Sequence, residues 1–379
     1  AEAMPIWPAI ISGSLGYLIV VVGMVATGMI GCDLGLASCT CCQAGFGKSG
    51  ARFIVSTIFA VNMIGWFGIQ NGVCGEAFSN AMLAMTGWDI PVVVSNTIWG
   101  IIMLLTAVYG VHALEKLDKI SIPLLMIIMC YGTFLAFKIY GTGNLNDEGT
   151  VQSMSFMSGV ALSFNFTAVG TITAADYTRF QKSRKDTVKS VFYGVFPMGV
   201  ITLIMGIVLT KLSGQYDISM VLIEVGLPFL GIVALVISTW TTNSTNAYSA
   251  GLNIVMALKL NDNRRREATL ISGIIGIVLC DLGIFGHVEG VLSLLSYVVC
   301  PVGGVILADY WVVGRGKAKN FRPQDGVNWA GVIAWALGAI ISYTVVKIEF
   351  VGIIVGFVIY LIAERFIPSA SRDNAENVA

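Results

Sequence analysis

Charged side chains are scarce in this sequence. Only 12% of its 379 residues are Asp, Glu, Lys or Arg, whereas a soluble domain carries about 25%. A soluble chain in which 56% of the residues are hydrophobic could not cover its core with water-compatible side chains. A protein solvated by lipid needs no such cover. The composition therefore predicts a membrane protein.

Histidines and enzyme motifs are also nearly missing. The two histidines, His112 and His287, lie near the ends of apolar stretches, and half of the eight cysteines lie in one predicted loop, residues 32–52. We therefore expect no metal site and no cofactor apart from a coupling ion. The sequence contains no GxSxG, HExxH or GxxxxGK[ST] motif, which argues against an enzyme and against ATP-driven transport within this chain. The net charge of zero gives no indication of nucleic-acid binding.

Long apolar stretches follow one another along the whole chain. A transmembrane helix needs about 20 apolar residues, and eleven stretches approach that length. The predicted spans are 8–31, 53–78, 91–113, 120–140, 153–175, 191–213, 227–256, 268–285, 289–310, 328–346 and 349–366. No soluble domain separates them. We predict one all-α polytopic transmembrane domain over residues 1–379.

The loops between these spans form two alternating sets that differ in charge. One set, which includes the C-terminal tail, carries all of the 22 Lys and Arg residues except three, and these three are Lys138, Lys211 and Lys347. Because positively charged loops stay in the cytoplasm, we predict a multi-pass protein of the cytoplasmic (inner) membrane with a cytoplasmic C-terminus. Eleven spans then place Ala1 outside, so we expect one more span before Ala1 in the full protein. A true eleven-span protein is the alternative.

Polar residues are concentrated at the centre of span 227–256, where hydrocarbon makes them costly. Residues 238–246 read STWTTNSTN, and all except Trp240 carry a hydroxyl or an amide. Hydroxyl oxygens suit a small hard cation such as Na⁺, whereas isolated Ser and Thr residues more often bond neighbouring helices. So dense a run favours a cation site.

Two other spans carry unusual residues at their centres. Trp66 is far from the interfacial belt where membrane tryptophans usually lie, and Gln70 shares its helix face, so the pair suits a planar heteroaromatic ring. In span 153–175, glycines flank a cluster around Asn165, a composition that would let the helix unwind at a binding site. Simple packing by Trp66 and a continuous helix are the alternatives. No Asp or Glu lies securely at the centre of a span, which favours Na⁺ over H⁺ and a neutral substrate.

Four segments of the sequence are distinctive. They are GWFG at 65–68, GTITAADYTRF at 170–180, WTTN at 240–243 and PVGGVILADY at 301–310. Together they resemble the cytosine permeases of the nucleobase:cation symport family. The resemblance implies a secondary active symporter that imports a nucleobase, most of all cytosine, by alternating access. A related symporter for hydantoin, allantoin, hydroxymethylpyrimidine or a purine is the alternative, and a channel or a non-transporting receptor is a more distant one.

The same resemblance implies a fold and a site. The fold would be a five-plus-five inverted-repeat transporter with two extra C-terminal helices, and its first transmembrane helix would be absent from this chain. The planar base would lie between Trp66 and Phe166, and its edge would be read by groups at Asn165, Ala168 and Val169.

The remaining residues of the expected site lie on two other segments. The substrate site would be completed by Asn243 and by Gln70, which matches the hydantoin-type relatives. The expected Na⁺ site consists of Ser238, Thr241 and Thr242, and H⁺ is the alternative coupling ion. The expected partners are a nucleobase and the lipid bilayer, with no nucleic acid and no evident obligate protein partner.

Overall fold

The computed structural model describes residues 4–145, 153–215 and 218–367, and these ranges contain helices and connections but no strand. Ala1 and the tail after residue 367, whose sides of the membrane are predicted from charge, lie outside these ranges. Helical structure follows from the apolar sequence, because in lipid a helix satisfies its backbone hydrogen bonds within one segment. The helices are α1 (Ile6–Leu34), α2 (Ser38–Cys41), α3 (Gln43–Gly50), α4 (Ser56–Thr86), α5 (Val92–Tyr109), α6 (Val111–Tyr140), α7 (Phe156–Thr167), α8 (Gly170–Thr173), α9 (Ala175–Thr178), α10 (Arg184–Ser213), α11 (Ile218–Glu224), α12 (Pro228–Ala257), α13 (Arg265–Asp281), α14 (Val288–Leu307), α15 (Trp329–Ile341) and α16 (Val351–Phe366). Short π-helical turns at Ala51–Val55, Ala308–Val313 and Ser342–Val346 extend α4, α14 and α15.

Within the described ranges, seven helical stretches are long and apolar enough to cross a membrane. A bent pair, Phe156–Thr167 followed by Gly170–Thr178, makes an eighth if it counts as one span. The other helices that overlap predicted spans are α12, α13 and α16. The helices α13 and α16 have only 17 and 16 residues, and α12 contains the polar run at 238–246.

The helices pack closely through glycine. The helix α1 lies against α7 and α10, α4 lies against α12 and α13, and α14 packs with α15 and α16. At Gly16 of α1 an added Cβ would lie 2.3 Å from the carbonyl oxygen of Val160, and at Gly304 of α14 it would lie 2.2 Å from that of Ile353. Contacts this close require small residues, which accounts for some of the 43 glycines of the chain.

The predicted loop at 32–52 is largely helical, because α2 and α3 occupy most of it. Cys39, Cys41 and Cys42 are buried in one core cluster with Phe46. The segment docks on the chain that precedes α15, where the backbone N–H of Asn328 donates to the carbonyl of Phe46 at 2.8 Å. These thiols therefore behave as small apolar side chains.

Carboxylates fasten the helix ends on the side that carries the positive loops. Arg184, at the start of α10, donates through Nε to both oxygens of Asp33 at 2.9 Å, and the hydroxyl of Tyr310 donates to the same carboxylate. Asp176 accepts from the backbone N–H of Ser38 at 2.8 Å. These contacts join α1 to α10 and to the end of α14, and α9 to α2.

Candidate functional site

Two aromatic rings from different helices contact each other. The ring centroids of Trp66 on α4 and Phe166 on α7 are 6.2 Å apart, and their planes are tilted by 51°. Trp66 is half-buried, and Phe166 is 51% exposed. Two rings that enclose a third in van der Waals contact lie about 7 Å apart, twice the optimal carbon–carbon separation. A planar ligand would enter between them once they move slightly apart and become parallel.

Gln70 and Trp66 lie one turn apart on α4, which is helical without interruption from Ser56 to Thr86. The i,i+4 spacing puts both side chains on one face, and Gln70 is half-buried. An amide donor and acceptor therefore lies on the helix face that carries the Trp66 ring.

The helix that carries Phe166 is broken just after it. The segments Phe156–Thr167 and Gly170–Thr178 are bent by 47°. The N–H of Thr171 bonds the carbonyl of Ala168 at 3.1 Å, and the N–H of Ile172 bonds that of Val169 at 3.0 Å, so both pair three residues back instead of four. Ala168 and Val169 therefore lie at the break itself. Discontinuous helices present backbone groups to substrates in many transporters.

Asn165 stands next to Phe166 and is 6% exposed. Its Nδ2 donates to Oε1 of Glu349 at 3.0 Å. Its Oδ1 is buried and has no hydrogen-bond partner within the described part of the chain, and the same is true of Oγ1 of Thr167. Buried polar atoms are nearly always partnered, so these two unpartnered oxygens are candidates for contact with a ligand.

Sequence reasoning missed Glu349. This residue lies in the turn before α16 and is 6% exposed, and its Oε1 also accepts from the hydroxyl of Ser293 on α14. Glu349 is the first residue of the predicted span 349–366, where a carboxylate is expected to be solvated, yet it is buried. The apolar neighbours Ile348 and Phe350 were the available signal for its burial. The argument for Na⁺ from missing interior carboxylates loses its support.

One face of the polar run on α12 bonds neighbouring helices. Nδ2 of Asn243 donates to the carbonyl of Phe67 at 3.1 Å and to the sulfur of Met103 at 3.6 Å. Nε1 of Trp240 donates to Oγ1 of Thr106 at 2.9 Å. In this structure the amide nitrogen of Asn243, a predicted substrate residue, is thus used to hold α12 against α4 and α5.

The predicted cation residues lie on another face of α12. Ser238, Thr241 and Thr242 have the i, i+3, i+4 spacing of one helix face. Their hydroxyls donate to carbonyls of their own helix, from Ser238 to Leu235 at 3.0 Å and from Thr241 and Thr242 to Ser238 at 3.0 and 3.1 Å. Each hydroxyl that donates its proton keeps oxygen lone pairs, so the three oxygens are able to bind a cation.

Known transporter sequences match most of this chain. The profile of a family described as "Permease for cytosine/purines, uracil, thiamine, allantoin" matches residues 3–364. A cytosine permease of Escherichia coli (strain K12) is 31% identical over 330 residues, which cover 86% of this chain and 75% of that protein. An allantoin permease of Bacillus subtilis (strain 168) is 23% identical over 408 residues, covering 93% of this chain and 82% of that protein.

Solved structures share the fold. The structure of MHP1, a nucleobase-cation-symport-1 family transporter with bromovinylhydantoin bound, superposes with a TM-score of 0.81 at 19% identity, covering 97% of this chain and 87% of that one. A Na⁺-coupled sialic acid symporter superposes with a TM-score of 0.61 at 14% identity, covering 95% and 88%. The predicted all-α transporter fold is confirmed by these likenesses.

Proposed function

We propose that this chain imports a nucleobase through the cytoplasmic membrane together with a cation. The proposal starts from the family: the chain belongs to the permeases for cytosine/purines, uracil, thiamine and allantoin. Members of this family are transporters and not enzymes. The charge distribution of the loops supports a cytoplasmic C-terminus.

Cytosine is the proposed substrate. The observation that carries this proposal is the contact between Trp66 and Phe166 at 6.2 Å, directly beside a helix break. Two aromatic faces favour a flat ring, and the unpartnered Oδ1 of Asn165 offers it a hydrogen-bond acceptor. The 31% identity to a cytosine permease favours cytosine over hydantoin or allantoin. Groups at Ala168 and Val169 would complete the contacts at the break.

Two predicted substrate residues have different places in this proposal. Gln70 would supply a further amide contact from the Trp66 face of α4. Asn243 would reach the base only if its amide left the carbonyl of Phe67. We therefore assign Gln70 the more direct role.

Na⁺ is the proposed coupling ion, held by the hydroxyl oxygens of Ser238, Thr241 and Thr242. One charge that crosses a potential of 100 mV releases about 2.3 kcal/mol, enough for roughly fiftyfold accumulation of a neutral base. Binding of the base and Na⁺ would favour the exchange of outward-open and inward-open states. H⁺ is the second candidate, favoured by the buried carboxylate of Glu349 beside Asn165.

Uptake of radiolabelled cytosine into vesicles that contain the purified protein tests the proposal. We expect saturable uptake that a Na⁺ gradient drives, that Trp66→Ala abolishes because it removes the stacking surface, and that Trp88→Ala retains. Trp88 is a matched control, since it is 69% exposed just beyond the end of α4.

Each alternative gives a different result in the same vesicles. Uptake that follows a pH gradient and ignores Na⁺ assigns coupling to H⁺. Unlabelled uracil, allantoin, hydantoin, hydroxymethylpyrimidine and purines as competitors identify a different ring. Ionic conductance without accumulation indicates a channel, binding without uptake indicates a receptor, and normal uptake by Trp66→Ala contradicts the proposed site.

A further inference from the structure

Glu349 is a buried carboxylate whose hydrogen bonds come from neutral groups. The amide of Asn165 on α7 and the hydroxyl of Ser293 on α14 both donate to its Oε1. The adjacent Phe350 packs edge-on against Phe164 with ring centroids 5.6 Å apart, which fixes the turn against α7. The broken helix, α14 and the start of α16 therefore meet at this carboxylate.

The carboxylate decides which way the amide of Asn165 points. Oε1 of Glu349 accepts the hydrogen bonds of both Asn165 and Ser293, and an asparagine amide has a donor end and an acceptor end. The NH₂ end therefore faces Glu349, because the opposite orientation would set Oδ1 against an oxygen that already accepts two hydrogen bonds. Oδ1 is then turned away from Glu349, and it has no partner among the residues that the structure describes.

This unpartnered oxygen belongs to the residue next to the proposed stacking ring. Asn165 precedes Phe166, whose ring contacts Trp66, and the helix breaks two residues later. Leaving a buried carbonyl oxygen without a donor is unfavourable, so a ligand that brings an N–H to this point would be bound preferentially. A ligand that presents an oxygen there would be repelled.

We propose that Glu349 is a positioning residue that orients Asn165, so that Oδ1 recognises the exocyclic amine of an aminopyrimidine and rejects the corresponding carbonyl. This inference rests on the proposed function. Cytosine and uracil are a suitable pair of probes, because cytosine carries an amine donor where uracil has a carbonyl acceptor. Glu349 itself need not touch the base.

The test compares the affinities of the purified protein for cytosine and uracil, each measured by ligand-dependent thermal stabilisation. Wild type should bind cytosine at least about tenfold more tightly than uracil. Glu349→Leu removes the acceptor and frees the amide to rotate, so this ratio should fall about tenfold. Glu349→Gln retains an acceptor oxygen and should restore part of the ratio. Glu364→Gln, which replaces another buried carboxyl group, this one on α16, should leave the ratio unchanged.

Several results would overturn the inference. Equal affinities of wild type for cytosine and uracil would do so without any variant, even if Glu349→Leu failed to fold. A loss of the same factor for both bases in Glu349→Leu would show a purely structural role, and a changed ratio in Glu364→Gln would show an unspecific charge effect. A folded wild type that binds no base at all would instead refute the proposed function, and this inference with it.

Discussion

Asn243 and its neighbour Thr242 belong to one polar run, yet replacing each by alanine should affect a different property of the protein. Asn243 is fully buried, and its amide bonds the carbonyl of Phe67 across the interface between α12 and α4. Thr242 is exposed, and its hydroxyl bonds the carbonyl of Ser238 in its own helix. We expect Asn243→Ala to destabilise the protein and Thr242→Ala to weaken its response to Na⁺.

The magnitudes follow from these contacts. Hydrogen bonds between membrane helices contribute about 0.6 kcal/mol on average and at most about 1.7, and truncation of a buried side chain adds the cost of a cavity. Asn243→Ala should therefore reduce the free energy of unfolding by about 1–2 kcal/mol. Exposed substitutions usually change it by less than about 0.5 kcal/mol, and alanine is the better helix former, so Thr242→Ala should leave it nearly unchanged.

Thermal unfolding in detergent, with and without Na⁺ and cytosine, separates the two effects. Asn243→Ala should lower the unfolding midpoint of the ligand-free protein and keep the stabilisation by Na⁺. Thr242→Ala should keep the midpoint and require more Na⁺ for the same stabilisation. An equal loss of midpoint in both variants would refute the assignment of Asn243 to helix packing and of Thr242 to the cation site. If Asn243→Ala keeps the midpoint but loses stabilisation by cytosine, Asn243 acts as a substrate ligand and its assignment to helix packing is refuted.

Two further predictions concern stability. Gly304→Ala should lower the unfolding midpoint strongly, because the new Cβ would lie 2.2 Å from a backbone carbonyl of α16. Gly290→Ala in the same helix has nothing within 4 Å of its new Cβ and should be neutral or slightly stabilising. Equal midpoints for the two variants would contradict the packing of α14 on α16. Arg184→Lys should lower the free energy of chemical unfolding by about 1 kcal/mol, because lysine cannot reproduce the forked contact with Asp33. Arg264→Lys changes an exposed ion pair and should leave the free energy of unfolding almost unchanged. An equally large loss in Arg264→Lys would contradict the stabilising role of the Arg184–Asp33 contact.

The positions of the long helices were predictable from local sequence, whereas the short helices α2 and α3 were not. The predicted span 8–31 lies within α1, and the prediction for 153–175 included a possible break that the structure shows between Thr167 and Gly170. The physical reason is that backbone hydrogen bonds in lipid are made within each helix, so that apolar length and local glycines carry most of the information. The resemblance in four segments was likewise sufficient for the family.

The contacts between helices were decided only by the tertiary structure. Asn165 and Glu349 lie 184 residues apart in sequence, and no local pattern indicates that they touch. The polar run at 238–246 reads as one cluster, but packing turns Asn243 toward α4 and leaves Thr242 exposed. Which face of a helix meets a neighbour depends on side chains distant in the chain. The sequence by itself therefore determined where the long helices are, whereas their packing determined which polar atoms remain available for a ligand.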